Sequence, residues 1–325
     1  MKSTRLFACL QLMRPANIVT AMADILAGVA VAAGFLILTM RQGPFVIEGG
    51  EDFVLILPLL LLATIGLYGG GVVFNDVFDA ELDAVERPER PIPSGRVSLR
   101  EAIILGGVLL VAGILFAFWV SVLSGAVAIA IAFFALLYNK VGKHKAWGPL
   151  NMGLCRGLNL FLGISSQTHL VGYTLYPIGS REGYDIGQPV WPNYIIIIPI
   201  LYIAAITSVS RGEVHGGGKK SFYVPFVLYG TVVSAILGIL FFTGTPVWQS
   251  LPFLVFFAWL IFPPLIRAYR DPQPRHIGLA VKAGVIALIA MDAAIAAAFA
   301  GWFYGLLVLA LLPVSRWLAR YFAVT

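Results

Sequence analysis

Long apolar runs separated by short polar breaks dominate this chain, with little of the one-on, one-off alternation that a half-buried strand shows. The runs fall near 16–39, 53–75, 99–120, 122–139, 148–167, 193–210, 222–243, 247–267, 277–299 and 302–321. Each approaches the roughly 20 residues that a helix needs to cross a bilayer's hydrocarbon core. Backbone N–H and C=O groups find no water partners in lipid, so runs of this length are predicted to be helices. The pattern predicts an all-α polytopic membrane bundle in a single transmembrane domain over 1–325. Local signals sharpen the helix ends. Arg14-Pro15-Ala16-Asn17 opens the first span, because proline fits the first turn of a helix. Ser98-Leu99-Arg100-Glu101 reads as a capping box starting the third, and the prolines at 88, 91 and 93 enforce an extended path before it. Gly69-Gly70-Gly71 permits a close helix approach.

Composition agrees with the pattern. Hydrophobic residues make up 59% and charged residues 12% of the chain, about half the charge of a soluble domain. The net charge of +6 reflects topology rather than nucleic-acid binding, since the basic residues sit between apolar runs. With ten spans, all of the 22 lysines and arginines except Arg41 and Arg181 fall on one side. That bias places both termini in the cytoplasm of a cell inner (plasma) membrane. Cys9 and Cys155 suggest neither a disulfide nor a metal cage. The first apolar run is too long for a signal peptide and has no cleavage-site pattern after it.

Where the second run ends, the chain reads Asn75-Asp76-Val77-Phe78-Asp79-Ala80-Glu81-Leu82-Asp83, then Arg87-Pro88-Glu89-Arg90-Pro91-Ile92-Pro93-Ser94-Gly95-Arg96. If the helix continues, Asp76, Asp79 and Asp83 share one face, joined by Asn75. Acidic residues after a span are commonly a solvated loop, but three like charges on one stripe repel unless a cation sits among them. Hard oxygen ligands suit Mg²⁺, which binds one or two carboxylates together with substrate phosphates. By the span count a second polar segment lies on the same side, Ser208-Val209-Ser210-Arg211-Gly212-Glu213-Val214-His215-Gly216-Gly217-Gly218-Lys219-Lys220. It is either a flexible loop with topogenic lysines or a glycine nest able to hold an anion. Asp24 and Asp292 are acids inside spans, buried structurally or used functionally.

The ungapped stretch from Asn75 to Arg96 resembles the first signature of the UbiA superfamily of intramembrane prenyltransferases. The resemblance runs over about 14–300 and implies nine spans, with the helix over about 302–321 as a tenth, C-terminal addition. It implies transfer of an isoprenyl group from an allylic diphosphate to a small aromatic or lipophilic acceptor at the cytoplasmic face. Mg²⁺ would be held by Asp76, Asp79 and Glu213, with Asp83 joining them as a catalytic carboxylate. The resemblance places Asn17, Asn75 and Tyr138 at the substrate, and Lys143, Arg156, Arg211 and Lys219 are further substrate-binding candidates because the diphosphate needs cationic partners. One departure stands out: the second signature usually carries two aspartates, whereas here Glu213 takes the first place and Gly217 the second. His215 between them is a poor ligand for Mg²⁺. The Arg-Gly-Glu-Val-His-Gly-Gly pattern is similar to an EboC-like branch discussed in connection with secondary metabolism. The missing carboxylate leaves open a non-catalytic carrier of a lipophilic metabolite, while the intact first signature favours an enzyme. A transporter built on inverted repeats and a CDP-lipid transferase both lack their sequence patterns here.

Overall fold

The computed structural model describes residues 5–40, 45–47, 53–166, 175–177, 191–210 and 219–322. The elements in chain order are α1 (Arg5–Met13), α2 (Pro15–Met40), β1 (Phe45–Ile47), α3 (Phe53–Phe78), α4 (Ala80–Glu86), α5 (Leu99–Val120), α6 (Val122–Lys140) and α7 (Gly148–Ile164). There follow β2 (Leu175–Pro177), α8 (Ile197–Ser210), α9 (Tyr223–Thr243), α10 (Val247–Arg270), α11 (Pro274–Ala300), α12 (Trp302–Leu309) and α13 (Leu311–Leu318). Among the described residues seven helices are long and apolar enough to cross a membrane, namely α2, α3, α5, α6, α9, α10 and α11. The chain is an integral membrane protein of all-α architecture. Among the described residues the only strands are the short antiparallel pair β1–β2, with Val46 opposite Tyr176.

Burial sorts the helices into two shells. Almost every position from Ala287 to Ala298 of α11 is fully buried, as is most of α2 from Ala16 to Ala32. Both segments are rich in alanine, so neighbouring helices can approach them closely. The outer helices keep large apolar side chains exposed, among them Val108, Val111 and Trp119 of α5 and Phe133 of α6. A face of that size and character belongs against lipid rather than water. Between shells, contact is close where glycine allows it. A Cβ on Gly66 of α3 would stand 2.5 Å from the Leu109 carbonyl oxygen of α5, and one on Gly70 would stand 2.8 Å from Leu110 Cγ.

Several boundaries depart from the hydropathy reading for identifiable reasons. The C-terminal helix breaks at Ala310 into α12 and α13. Pro313 lacks an N–H and its ring collides with the carbonyl four residues back, Leu309, where the first piece ends. The sixth span likewise begins as a 3-10 turn over Trp191–Ile196, and Pro199 falls in the first turn of α8. α1 is an additional short helix whose buried residues Ala8 and Leu12 are one turn apart. Ser98 and Glu101 form the expected capping box. Glycine is required at the end of α11, where Gly301 takes φ +84°.

Candidate active site

The acidic stripe survives as a stripe because the helix barely interrupts itself. Asp79 separates α3 from α4 at φ −91° and ψ 1°. Yet its amide still reaches the Asn75 carbonyl at 3.1 Å, and the Asp83 amide reaches the Asp79 carbonyl at 2.8 Å. With helical spacing retained, Asp76 and Asp83 are both buried at the end of the bundle and Asp79 is nearly so.

Each carboxylate has a cation. Arg14 Nη2 donates to Asp76 Oδ1 at 2.8 Å, and Arg90 Nη1 reaches the same oxygen at 3.3 Å. Arg90 Nη1 also donates to Asp83 Oδ2 at 2.6 Å. Lys143 Nζ, on the 3-10 turn Gly142–His144, meets Asp79 Oδ2 and Asn75 Oδ1, while Asn75 Nδ2 donates to Asp79 Oδ2 at 3.2 Å. Among the described residues of this cluster, three anions face three cations. The loop that supplies Arg90 is itself fixed. Gly95 turns at φ +72°, and Arg96 donates to the Glu89 carbonyl at 2.6 Å and to Gln11 Oε1 of α1 at 2.7 Å.

Below this mouth a cavity of about 250 Å³ runs into the bundle. Arg14, Asn17, Asn75, Tyr138, Asn139 and Arg156 supply its polar wall, and Leu67, Ile131, Ile203, Ile206 and Leu288 are among its apolar residues. Asn139 is anchored by donating to the Gly71 carbonyl at 2.8 Å. The site is therefore built by α2, α3, α6, α7, α8 and α11 together, with charge at one end and hydrocarbon along the walls.

Arg156 lines this cavity and is also engaged from α2. Its guanidinium is held by Asp24. Nε stands 2.7 Å from Asp24 Oδ2, a close ionic contact without the N–H alignment of a hydrogen bond, and Nη2 donates to the Thr20 carbonyl. Asn159 Nδ2 adds a donor to Asp24 Oδ2 at 2.8 Å, and Thr64 Oγ1 donates to Asn159 Oδ1 at 2.6 Å. Asp292 of α11 meets Asp24 carboxyl to carboxyl, without a nitrogen or hydroxyl donor among the described residues. Arg156 also lies 5.8 Å from the centre of the Tyr68 ring, within reach of a cation–π contact. This network ties α2, α3, α7 and α11 together at the inner wall of the cavity.

Of the residues singled out in the sequence, Asp76, Asp79, Asp83, Asn75 and Lys143 come together directly, and Asn17 and Tyr138 line the cavity beside them. Glu213 and Arg211 lie outside the described residues, as does the Lys219 side chain. Sequence reasoning overlooked Arg14 and Arg90. Charge balance was the available signal: three clustered carboxylates need basic partners of their own, apart from those assigned to the diphosphate. As for a metal, no group of three acidic, His or Cys side chains converges as a cage among the described residues. Mg²⁺ needs only one or two carboxylates beside substrate oxygens, and the hard donors of Asp76 and Asp79 fit it on that basis.

Comparison with known proteins follows this geometry. The family model described as the UbiA prenyltransferase family matches residues 27–277. A digeranylgeranylglyceryl phosphate synthase of Methanothrix thermoacetophila is 40% identical over 129 residues, 40% of this chain and 43% of that protein. The chain spans about half the length of the curated relatives it matches. In fold it is similar to a UbiA homolog from Aeropyrum pernix K1, with TM-score 0.64 and 15% identity over 86% of this chain and 96% of the other. A UbiA homolog from Archaeoglobus fulgidus bound to DMAPP and Mg²⁺ superposes with TM-score 0.53 and 14% identity, covering 87% of this chain and 98% of the other.

Proposed function

Because the chain belongs to the UbiA prenyltransferase family, we propose that it transfers an isoprenyl group from an allylic diphosphate to a small lipophilic acceptor within the membrane. The observation that carries this reading is the pairing of Asp76, Asp79 and Asp83 with Arg14, Lys143 and Arg90 at the mouth of an apolar cavity. The basic bias of the loops puts that mouth at the cytoplasmic face.

Allylic transfer separates charge: a carbocation remains on the chain and diphosphate leaves. Mg²⁺ held by Asp76 and Asp79, with Glu213 as a third ligand, would supply charge neutralisation at the leaving group. The protein's own part begins with three cations that are already desolvated and oriented. With Mg²⁺ held there, Arg14 and Lys143 would be free to donate to phosphate oxygens, while Arg90 would stay anchored on Asp83. Binding would thus exchange one set of charge-assisted hydrogen bonds for another, with the metal's charge offsetting that of the diphosphate. Asn75, bonded to both Lys143 and Asp79, keeps that lysine at the mouth. Leu67, Ile131, Ile203, Ile206 and Leu288 keep water from the allylic cation, and Tyr68 and Tyr138 add aromatic rings to the same lining. Asp83 serves as the anchor of Arg90, a role that its ion pair supports better than direct metal binding.

The relatives are named for making digeranylgeranylglyceryl phosphate, so an isoprenyl glyceryl phosphate is the acceptor to test first, ahead of an aromatic one. The test is diphosphate release by the protein in lipid nanodiscs, supplied with allylic diphosphates of several lengths, with and without Mg²⁺ and each acceptor. Mg²⁺-dependent release is the expected result. Tight binding of the diphosphates without any release would instead assign the carrier role.

A further inference from the structure

Arg14 is the only described residue other than glycine with a positive φ, +49°. It sits between α1 and α2, directly before Pro15, in a backbone conformation that persists only where the surroundings fix it. That corner aims its guanidinium at Asp76 from 2.8 Å. Within the corner, the Arg14 amide reaches the Gln11 carbonyl at 3.3 Å, and the Arg14 carbonyl accepts from the Asn17 amide at 2.9 Å. The bonds that tie it to the rest of the protein include several from the far end of the chain. Ser315 of α13 donates its hydroxyl to the Ala16 carbonyl at 3.0 Å, a buried bond between residues 299 apart. Tyr304 of α12 donates to the Leu26 carbonyl of α2 at 3.2 Å, and the Phe322 ring lies 5.3 Å from that of Phe7 in α1. The pair α12–α13 is in turn seated on α11, where a Cβ on Gly305 would come within 2.8 Å of Ala297 Cβ. None of this belongs to the matched family region, which covers 27–277 and so omits both the corner and the helices that hold it.

We propose that α12 and α13 clamp the α1–α2 corner and so fix Arg14 at the diphosphate mouth, with Ser315 as the positioning residue. The inference rests on the proposed function for what Arg14 binds, but the clamp itself does not. A carbonyl in the first turn of a helix has a second lone pair beyond the one used along the helix, and Ser315 takes it at Ala16. Buried with 2% exposure, this bond has no water to replace it when the hydroxyl is removed. Losing it frees the turn that carries Arg14 and Asn17, both of which line the cavity.

Two measurements on the full-length protein in nanodiscs decide the matter, using Ser315→Ala, Ser315→Thr and Arg14→Ala. Hydrogen exchange of amides 12–20 should quicken roughly tenfold in Ser315→Ala and stay near the parent rate in Ser315→Thr, which keeps the hydroxyl. Unchanged exchange in Ser315→Ala overturns the clamp. In turnover, Ser315→Ala should raise KM for the allylic diphosphate about three- to tenfold with kcat little changed, and Ser315→Thr should restore it. In the Arg14→Ala background the same substitution should shift KM by less than about twofold, because the group it positions is gone. An equal factor in both backgrounds overturns the link to Arg14. A parent protein that releases no diphosphate refutes the proposed function, while the exchange experiment still judges the clamp.

Discussion

Arg90 Nη1 lies 2.6 Å from Asp83 Oδ2 and 3.3 Å from Asp76 Oδ1, so a single nitrogen joins the two ends of the acidic stripe. The guanidinium comes from the proline-bracketed loop after α4, and both carboxylates are buried. That loop is therefore held against the site by charge as well as by its turns. In Arg90→Ala, Asp83 is left buried without its partner. The loss should reach about 3 kcal/mol, the lower range for breaking a buried pair. A thermal melt in detergent should show the midpoint several degrees lower, with Arg90→Lys intermediate because a lysine keeps the charge but not the fixed donor geometry of the guanidinium. An unchanged midpoint would count against the pairing.

The three aspartates should separate by role. Asp76→Asn and Asp79→Asn remove the charge with little change of shape, and each should lower the rate of diphosphate release by a factor of about 100 or more. Asp83→Asn should cost less than about tenfold and leave the Mg²⁺ concentration for half-maximal activity where it was. A large shift of that concentration in Asp83→Asn would make Asp83 a metal ligand after all. Glu213→Gln, chosen on its sequence position alone, should raise it.

Lys143 contacts Asp79 and Asn75 and is about a quarter exposed. Lys143→Met should raise KM for the allylic diphosphate by roughly tenfold or more, the scale of one charge-assisted contact. Titration with Mg²⁺ and inorganic pyrophosphate in a calorimeter provides the check, and parent-like affinity would remove Lys143 from the site.

At the inner wall, Asp24→Ala strands the Arg156 guanidinium inside the bundle and should destabilise the protein by about 3–5 kcal/mol. Removing both charges, in Asp24→Ala with Arg156→Met, should recover much of that loss. Melting midpoints of the two single variants and the double variant supply the comparison. Additive losses would show that the two groups act independently.

Close approach of α2 and α7 holds that pair in register. A Cβ on Gly163 would stand 2.5 Å from the Ile25 carbonyl oxygen and 3.0 Å from Gly28 Cα, backbone atoms that cannot step aside. Gly163→Ala should cost about 1–3 kcal/mol as an overpacked contact, read as a lowered midpoint. Gly230→Ala, where a Cβ meets nothing within 4 Å, serves as the control.

Much of this protein was legible in one dimension. Hydrophobic runs longer than a bilayer is thick admit little but helices, so span positions and the all-α class follow from solvation alone. Helical spacing put Asp76, Asp79 and Asp83 on one face, and the capping box at Ser98 and Glu101 is a matter of four consecutive residues. These features depend on neighbours along the chain, and the sequence determined them. What it could not specify was which distant groups would meet. Arg14 and Asp76 are 62 residues apart, Arg156 and Asp24 more than a hundred, and Ser315 and Ala16 are 299 apart. Arg156 looked like a diphosphate ligand because its residue type and depth fit one, yet the packing of α2 on α7 gave it Asp24 first. Pairings of that kind are decided by which helix faces come together. In this bundle small residues set that choice, letting backbones approach, and it was left to the tertiary structure.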